Sequence, residues 1–146
     1  MAMRLDASTA GQFAQRIQSL APDSRATWGK MSVDQMLWHV NKALGLSLGH
    51  ETVGPGSLPL PAPVLKFLAL RLPWMKGAPT HPDFVAKATH DFAAERARLL
   101  SLIDEVVAKP MSHDWPRHPA FGKMTGFEAT QLMAKHIDHH LRQFGA

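Results

Sequence analysis

Thr125-Gly126-Phe127-Glu128-Ala129-Thr130-Gln131-Leu132-Met133-Ala134-Lys135-His136-Ile137-Asp138-His139-His140-Leu141-Arg142-Gln143-Phe144-Gly145-Ala146 reads as one amphipathic helix with its ends marked. Thr125-x-x-Glu128 is a capping box, in which each side chain satisfies the other residue's backbone N–H. Gly145 supplies the stop. Between them Met133, Ile137, Leu141 and Phe144 recur at three- and four-residue spacing, which lines one face of a helix. His140 falls about 60° from Ile137 around the axis and His136 about 40° further, so both sit at the border of the apolar stripe. His139 lies farther round, on the side of Glu128, Lys135 and Arg142, and is expected in solvent or behind the ligands.

The same grammar recurs upstream. Phe13, Ile17 and Leu20 give a first helix over Ser8 to Leu20, with Pro22 beyond it. Ser32-x-x-Gln35 is a second capping box and opens a helix carrying Val33, Met36, Leu37, Val40 and Leu44 on one face, weakened at Gly45 and Gly49. His39 sits about 60° from Met36, on the edge of that stripe. A loop follows, Gly54-Pro55-Gly56-Ser57-Leu58-Pro59, then a short amphipathic piece from Val64 to Leu72 closed by Pro73. The longest helix is expected to start near Pro82, a favourable first position, and to run through Phe84, Ala88, Phe92, Leu99, Ile103 and Val106 to Lys109. No alternating β-branched run bounded by hairpin turns is present. The prediction is all-α: a four-helix bundle with a long connection between its second and third helices, one domain over residues 1–146.

Composition narrows the function classes. The chain has 146 residues, no Cys and no Tyr, so disulfides, thiolate nucleophiles, zinc–thiolate sites and phenolic acids or bases are all excluded. Hydrophobic content of 45% against 19% charged residues is that of a globular domain. The net charge of +4 comes from scattered Lys and Arg, without the basic run and interleaved aromatics of a nucleic-acid binder. The stretch from Val64 to Leu72 is too short to span a bilayer and is broken by Lys66 and Arg71. With no apolar core of signal-peptide length at the N-terminus, the expectation is a cytoplasmic protein with no membrane partner.

His136 and His140, four residues apart on one helix face, together with His39 from an earlier helix, form a candidate three-nitrogen metal site. Spacing alone leaves two alternatives open, a ligand set or an accidental pair in a chain of nine histidines. Asp138 and Gln143 could each orient an imidazole, though Asp138 projects away from His136 and His140, and the sequence does not resolve which residue stands behind the ligands. The pocket is expected between the second and last helices, lined by Met36, Ala43 and Met133, with Arg142 or Lys42 at its mouth. Trp28 and Trp38 are expected to pack, Trp38 against the loop before its helix or against a second subunit. His139 or His118 could act as a general base, but each is expected rather as a surface or loop residue, and no catalytic residue is assigned.

These residues carry a resemblance. Trp28-Gly29-Lys30-Met31-Ser32-Val33-Asp34-Gln35-Met36-Leu37-Trp38-His39, with His118-Pro119-Ala120-Phe121-Gly122-Lys123-Met124-Thr125 and His136-Ile137-Asp138-His139-His140-Leu141-Arg142-Gln143-Phe144, resembles one branch of the DinB/YfiT-like superfamily of metal-binding four-helix bundles. Leu141 departs from the commoner pattern, in which a small or basic residue follows the last histidine. The resemblance implies an up-down-down-up bundle that binds a divalent ion, zinc or nickel, through His39, His136 and His140. It further implies a homodimer, and a small-molecule or thiol substrate handled by a transferase, isomerase or hydrolase. The rival readings are a non-catalytic metal- or ligand-binding bundle and a structural helical protein with incidental histidines. A zinc-protease reading is excluded, because no Glu follows His136.

Overall fold

The computed structural model describes residues 2–54, 59–78 and 80–146. Five α-helices succeed one another: α1 (Ala10–Gln18), α2 (Val33–Leu48), α3 (Ala62–Arg71), α4 (Phe92–Ala108) and α5 (Gly126–Gln143). A 3-10 turn, Pro82–Phe84, precedes α4. No strand occurs among the described residues; His118 and Gly122 form one isolated bridge. Residues 55–58 of the expected glycine- and proline-rich loop lie outside the described residues.

Four helices share the core. α2 packs along α4, α1 rests on α4 and α5, and α5 closes against α2. Phe13, Ile17, Met36, Leu37, Leu44, Leu99, Ile103, Ile137 and Leu141 fill the centre and are almost wholly buried, the residue set the helical periodicity selects. Both expected capping boxes form. The Ser32 N–H donates to Gln35 Oε1 at 3.1 Å, and Thr125 and Glu128 exchange bonds at 3.0 and 3.1 Å. α2 runs through Gly45 and stops at Gly49, whose φ of 83° is left-handed. The N–H groups of Gly49 and His50 return to the carbonyls of Leu46 and Gly45, a Schellman closure that satisfies carbonyls the helix leaves free.

Three expectations need correction. The helix expected from Pro82 begins at Phe92, capped by Asp91, whose carboxylate accepts the Ala94 N–H at 2.8 Å. Pro82 opens only the 3-10 turn, because α2 claims the backbone between. Gln35 donates to the Ala88 carbonyl, Asp34 accepts the His90 N–H, and the Phe84 carbonyl is taken by His39. These bonds give the segment's backbone partners outside a helix, and the His90 N–H held by Asp34 is lost to any helical ladder. Second, the longest helix is α5, at 18 residues against 17 in α4. Third, the bundle has a fifth helix. α3 buries no residue and lies outside the core against α5. Its end is held by polar contacts instead: Lys135 Nζ donates to the carbonyls of Ala69 and Leu72, and Gln131 Nε2 to that of Leu70 at 3.1 Å. Those carbonyls are the unpaired acceptors of a helix C-terminus.

Candidate metal centre

α2 and α5 bring His39, His136 and His140 together. One ring nitrogen from each lies within 4.8 Å of the others, so the three are close enough to hold one metal ion. Ring centroids are separated by 4.8 to 5.0 Å. His39 Nε2 and His136 Nε2 stand 3.0 Å apart. Two imidazoles on a tetrahedral ion with bonds of about 2.0–2.1 Å would place their nitrogens about 3.3 Å apart. The movement required is a few tenths of an ångström for that pair and rather more for the third ring.

The far nitrogens explain which atoms converge. His39 Nδ1–H donates to the Phe84 carbonyl at 2.8 Å, leaving the Nε2 lone pair free. His140 Nδ1–H donates to Gln143 Oε1 at 2.8 Å, with the same result. Gln143 is itself fixed, because its Nε2 donates to the Trp28 carbonyl at 2.9 Å. That approach depends on Gly29, where an added Cβ would stand 2.7 Å from Gln143 Nε2. An oxygen acceptor behind a histidine selects its tautomer and fixes its ring plane, the usual support of a metal-ligating imidazole. Since His39 Nε2 has no proton to give, His136 Nε2–H is the donor in the 3.0 Å contact; taking up an ion would move that proton to Nδ1.

Burial sets the protonation. His39 and His140 are 5% and 8% exposed, while His136 keeps more accessible surface. Desolvation is the main cause in each case. It lowers His39, takes His140 to about 3, and places His136 well below the usual imidazole range, with mutual repulsion among the rings adding to it. All three are neutral at physiological pH, the form that binds metal.

Other expected site residues fall differently. Met36 and Met133 are in the core rather than around an opening; Ala43 is half-buried. The two charges assigned to a mouth are paired, Lys42 with Glu51 at 3.0 Å and Arg142 with Asp138 at 3.0 Å. Asp138 also binds Arg16 at 2.8 Å and turns away from the histidines, as its position on the helix requires. His139 is half-buried between Trp28 and Trp74, with ring centroids 5.6 Å from each. Trp38 stacks on His90 at 5.1 Å in the segment before α4, not on the loop before α2. His118 accepts the Ala120 and Phe121 N–H groups on Nδ1 at 3.0 and 3.2 Å, and burial takes it to about 4. It is a neutral donor through Nε2 rather than a base at neutral pH.

Two contributors escape sequence reading. The Phe84 carbonyl is invisible while Phe84 is read as helix interior. Trp74, 5.4 Å from His136, arrives from the loop after α3, and no periodicity announces it.

No helix among the described residues is long and apolar enough to cross a membrane. The comparison with curated proteins finds no match, and neither does that with solved structures. One family model matches over residues 1–146, that described as "Protein of unknown function (DUF1569)", and the chain belongs to that family.

Proposed function

We propose that the chain is a metal-dependent enzyme of a small molecule, a transferase or hydrolase built on a DinB-like bundle, with a divalent ion held by His39, His136 and His140. Zinc and nickel fit three borderline imidazole donors best. The observation that carries the reading is the convergence of three neutral imidazoles, two of them turned inward by oxygen acceptors behind them. Buried histidines with this support are costly as mere packing and useful as ligands. Three protein ligands leave coordination open, where a bound ion would supply Lewis acidity and lower the pKa of a water or thiol.

The chain's own residues do the rest. Phe84 and Gln143 hold two imidazoles in the binding tautomer, and burial keeps all three unprotonated. The apolar stripe of α5 excludes water behind them, which strengthens electrostatic effects in front. A low-molecular-weight thiol is the proposed co-substrate. Cobalt-substituted protein tests this: small thiols should change its visible spectrum by adding a sulfur ligand, and an unchanged spectrum at saturating thiol removes the thiol mechanism. A second reading, a binding bundle without catalysis, is favoured by one observation. Asp138, beside the triad in sequence, is tied up by Arg16 and Arg142 and is not available as a base.

A further inference from the structure

We infer that Trp28, His139 and Trp74 wall the approach to His136, and that this approach receives a small aromatic anion. The inference deepens the metal reading and rests on it for the purpose of the site, while the wall itself is built without the ion. Of the three triad histidines, His136 alone is partly rather than fully buried, and it is the one against which Trp74 packs. Trp74 stands there, its ring centroid 5.4 Å from that of His136 and tilted by 48°. His139 comes next, 5.6 Å from Trp74 and 5.6 Å from Trp28, with interplanar angles of 57° and 64°. Rings inclined in this way present both edges and faces, the geometry in which another aromatic group packs best.

The wall is anchored before any ligand arrives. Trp74 Nε1 donates to the Ala69 carbonyl at 2.8 Å, and the Trp28 carbonyl is held by Gln143, the same residue that orients His140. The other two tryptophans are spoken for, because Trp115 is in the core and Trp38 lies between His90 and the Lys42 ammonium. Trp28 and Trp74 are each half-buried.

Charge selects the sign of the ligand. Lys76 Nζ lies 4.8 Å from the centroid of the Trp28 ring and has no carboxylate partner among the described residues. Lys135 Nζ lies 5.7 Å from that of Trp74, although its hydrogens are given to α3 carbonyls. The carboxylate neighbouring His139, Asp138, is neutralised by two arginines. A cationic ligand would be repelled by the ammonium groups beside the two indoles. An aromatic carboxylate can pack against the indoles and place its charge at Lys76.

The test follows the indole N–H signals of the full chain by proton–nitrogen NMR. Four tryptophans give four signals, assigned with single Trp→Phe variants. Titration with 2-naphthoate should shift the Trp28 and Trp74 signals together and saturably, leaving Trp38 and Trp115 in place. Trp74→Ala should weaken binding about tenfold. Lys76→Ala, at an exposed position, should weaken it a few-fold. Unmoved Trp38 and Trp115 signals in either variant show that the bundle is intact. No saturable shift, a shift confined to Trp38, or equal binding of 2-naphthylmethylammonium would overturn the inference. Ion content is measured on the same samples. A chain that binds naphthoate at the wall but takes up no ion refutes the metal reading alone, and one that takes up the ion without response at Trp28 and Trp74 refutes the wall alone.

Discussion

α2 has two faces, and they are built on opposite rules. Towards α4 it presents Leu37, Val40 and Leu44 among Leu99, Leu102 and Ile103, with one polar residue, Asn41. Asn41 Nδ2 donates to the Glu95 carbonyl and carboxylate at 2.9 and 2.8 Å, and only its Oδ1 is left without a protein partner. Towards α5 the same helix presents His39, which meets two further histidines. There the Nε2 atoms of His39 and His136 meet each other at 3.0 Å. The first face is what stability asks for; the second sets three titratable rings where their protonated forms are costly. That concentration of unfavourable groups in one place is what the proposed metal site accounts for.

Breaking each face should therefore have a different consequence. His136→Ala is expected to lower divalent-ion affinity by about three orders of magnitude, roughly 4 kcal/mol, while the ion-free chain keeps or gains thermal stability. Calorimetric titration beside a thermal melt separates the two. Leu37→Ala, on the α4 face, should do the reverse. A cavity at a fully buried position costs about 3 kcal/mol of folding stability, read from the urea midpoint, with ion binding retained wherever the chain is folded.

Acid sharpens the contrast. His118 and His140 protonate at about 4 and about 3 in the folded chain but near 6.5 when unfolded. Above pH 6.5 both states are neutral and these groups contribute nothing to the pH dependence. Below it the unfolded chain takes up protons that the folded chain refuses. Stability then falls by about 1.4 kcal/mol per pH unit for each histidine, until the folded values are reached. Denaturant melts between pH 7 and 4 should show this slope, and saturating ion should move the acid midpoint downwards, because only neutral, folded imidazoles bind it. A flat profile would mean that the histidines are hydrated.

Gln143→Ala removes the support behind His140 without removing a ligand, and should cost about tenfold to a hundredfold in ion affinity. The smallest effect is expected at His139→Ala, under about threefold in ion affinity, less than 1 kcal/mol, since His139 packs on the two tryptophans and edge-on against His140 without giving a nitrogen to the triad. Equal losses at His139 and His136 would overturn the ligand assignment.

The sequence carried the core helices well because periodicity and capping are local. Ser32-x-x-Gln35 and Thr125-x-x-Glu128 need only a turn of chain to declare themselves, and the borders on which His39, His136 and His140 sit follow from helical geometry. What it did not carry is decided between elements. Pro82 is as good a start for a 3-10 turn as for a helix, and the choice depends on His39, Gln35 and Asp34 reaching across to capture that segment's backbone. Trp74 reaches His136 from an α3 end that Lys135 and Gln131 hold against α5. Lys42 looked like a free cation for want of any sign that Glu51 would meet it, whereas Arg142 and Asp138 stand at i,i+4 on one helix and their pairing was legible in the spacing.

The central claim is that His39, His136 and His140 act together on one ion. The most direct measurement is the metal content of the chain purified without a histidine tag, beside the His136→Ala variant, after equal exposure to zinc and nickel. The account predicts about one ion per chain in the parent and a loss of nearly all of it in the variant. A parent without ion, or a variant that keeps the same content, would contradict it.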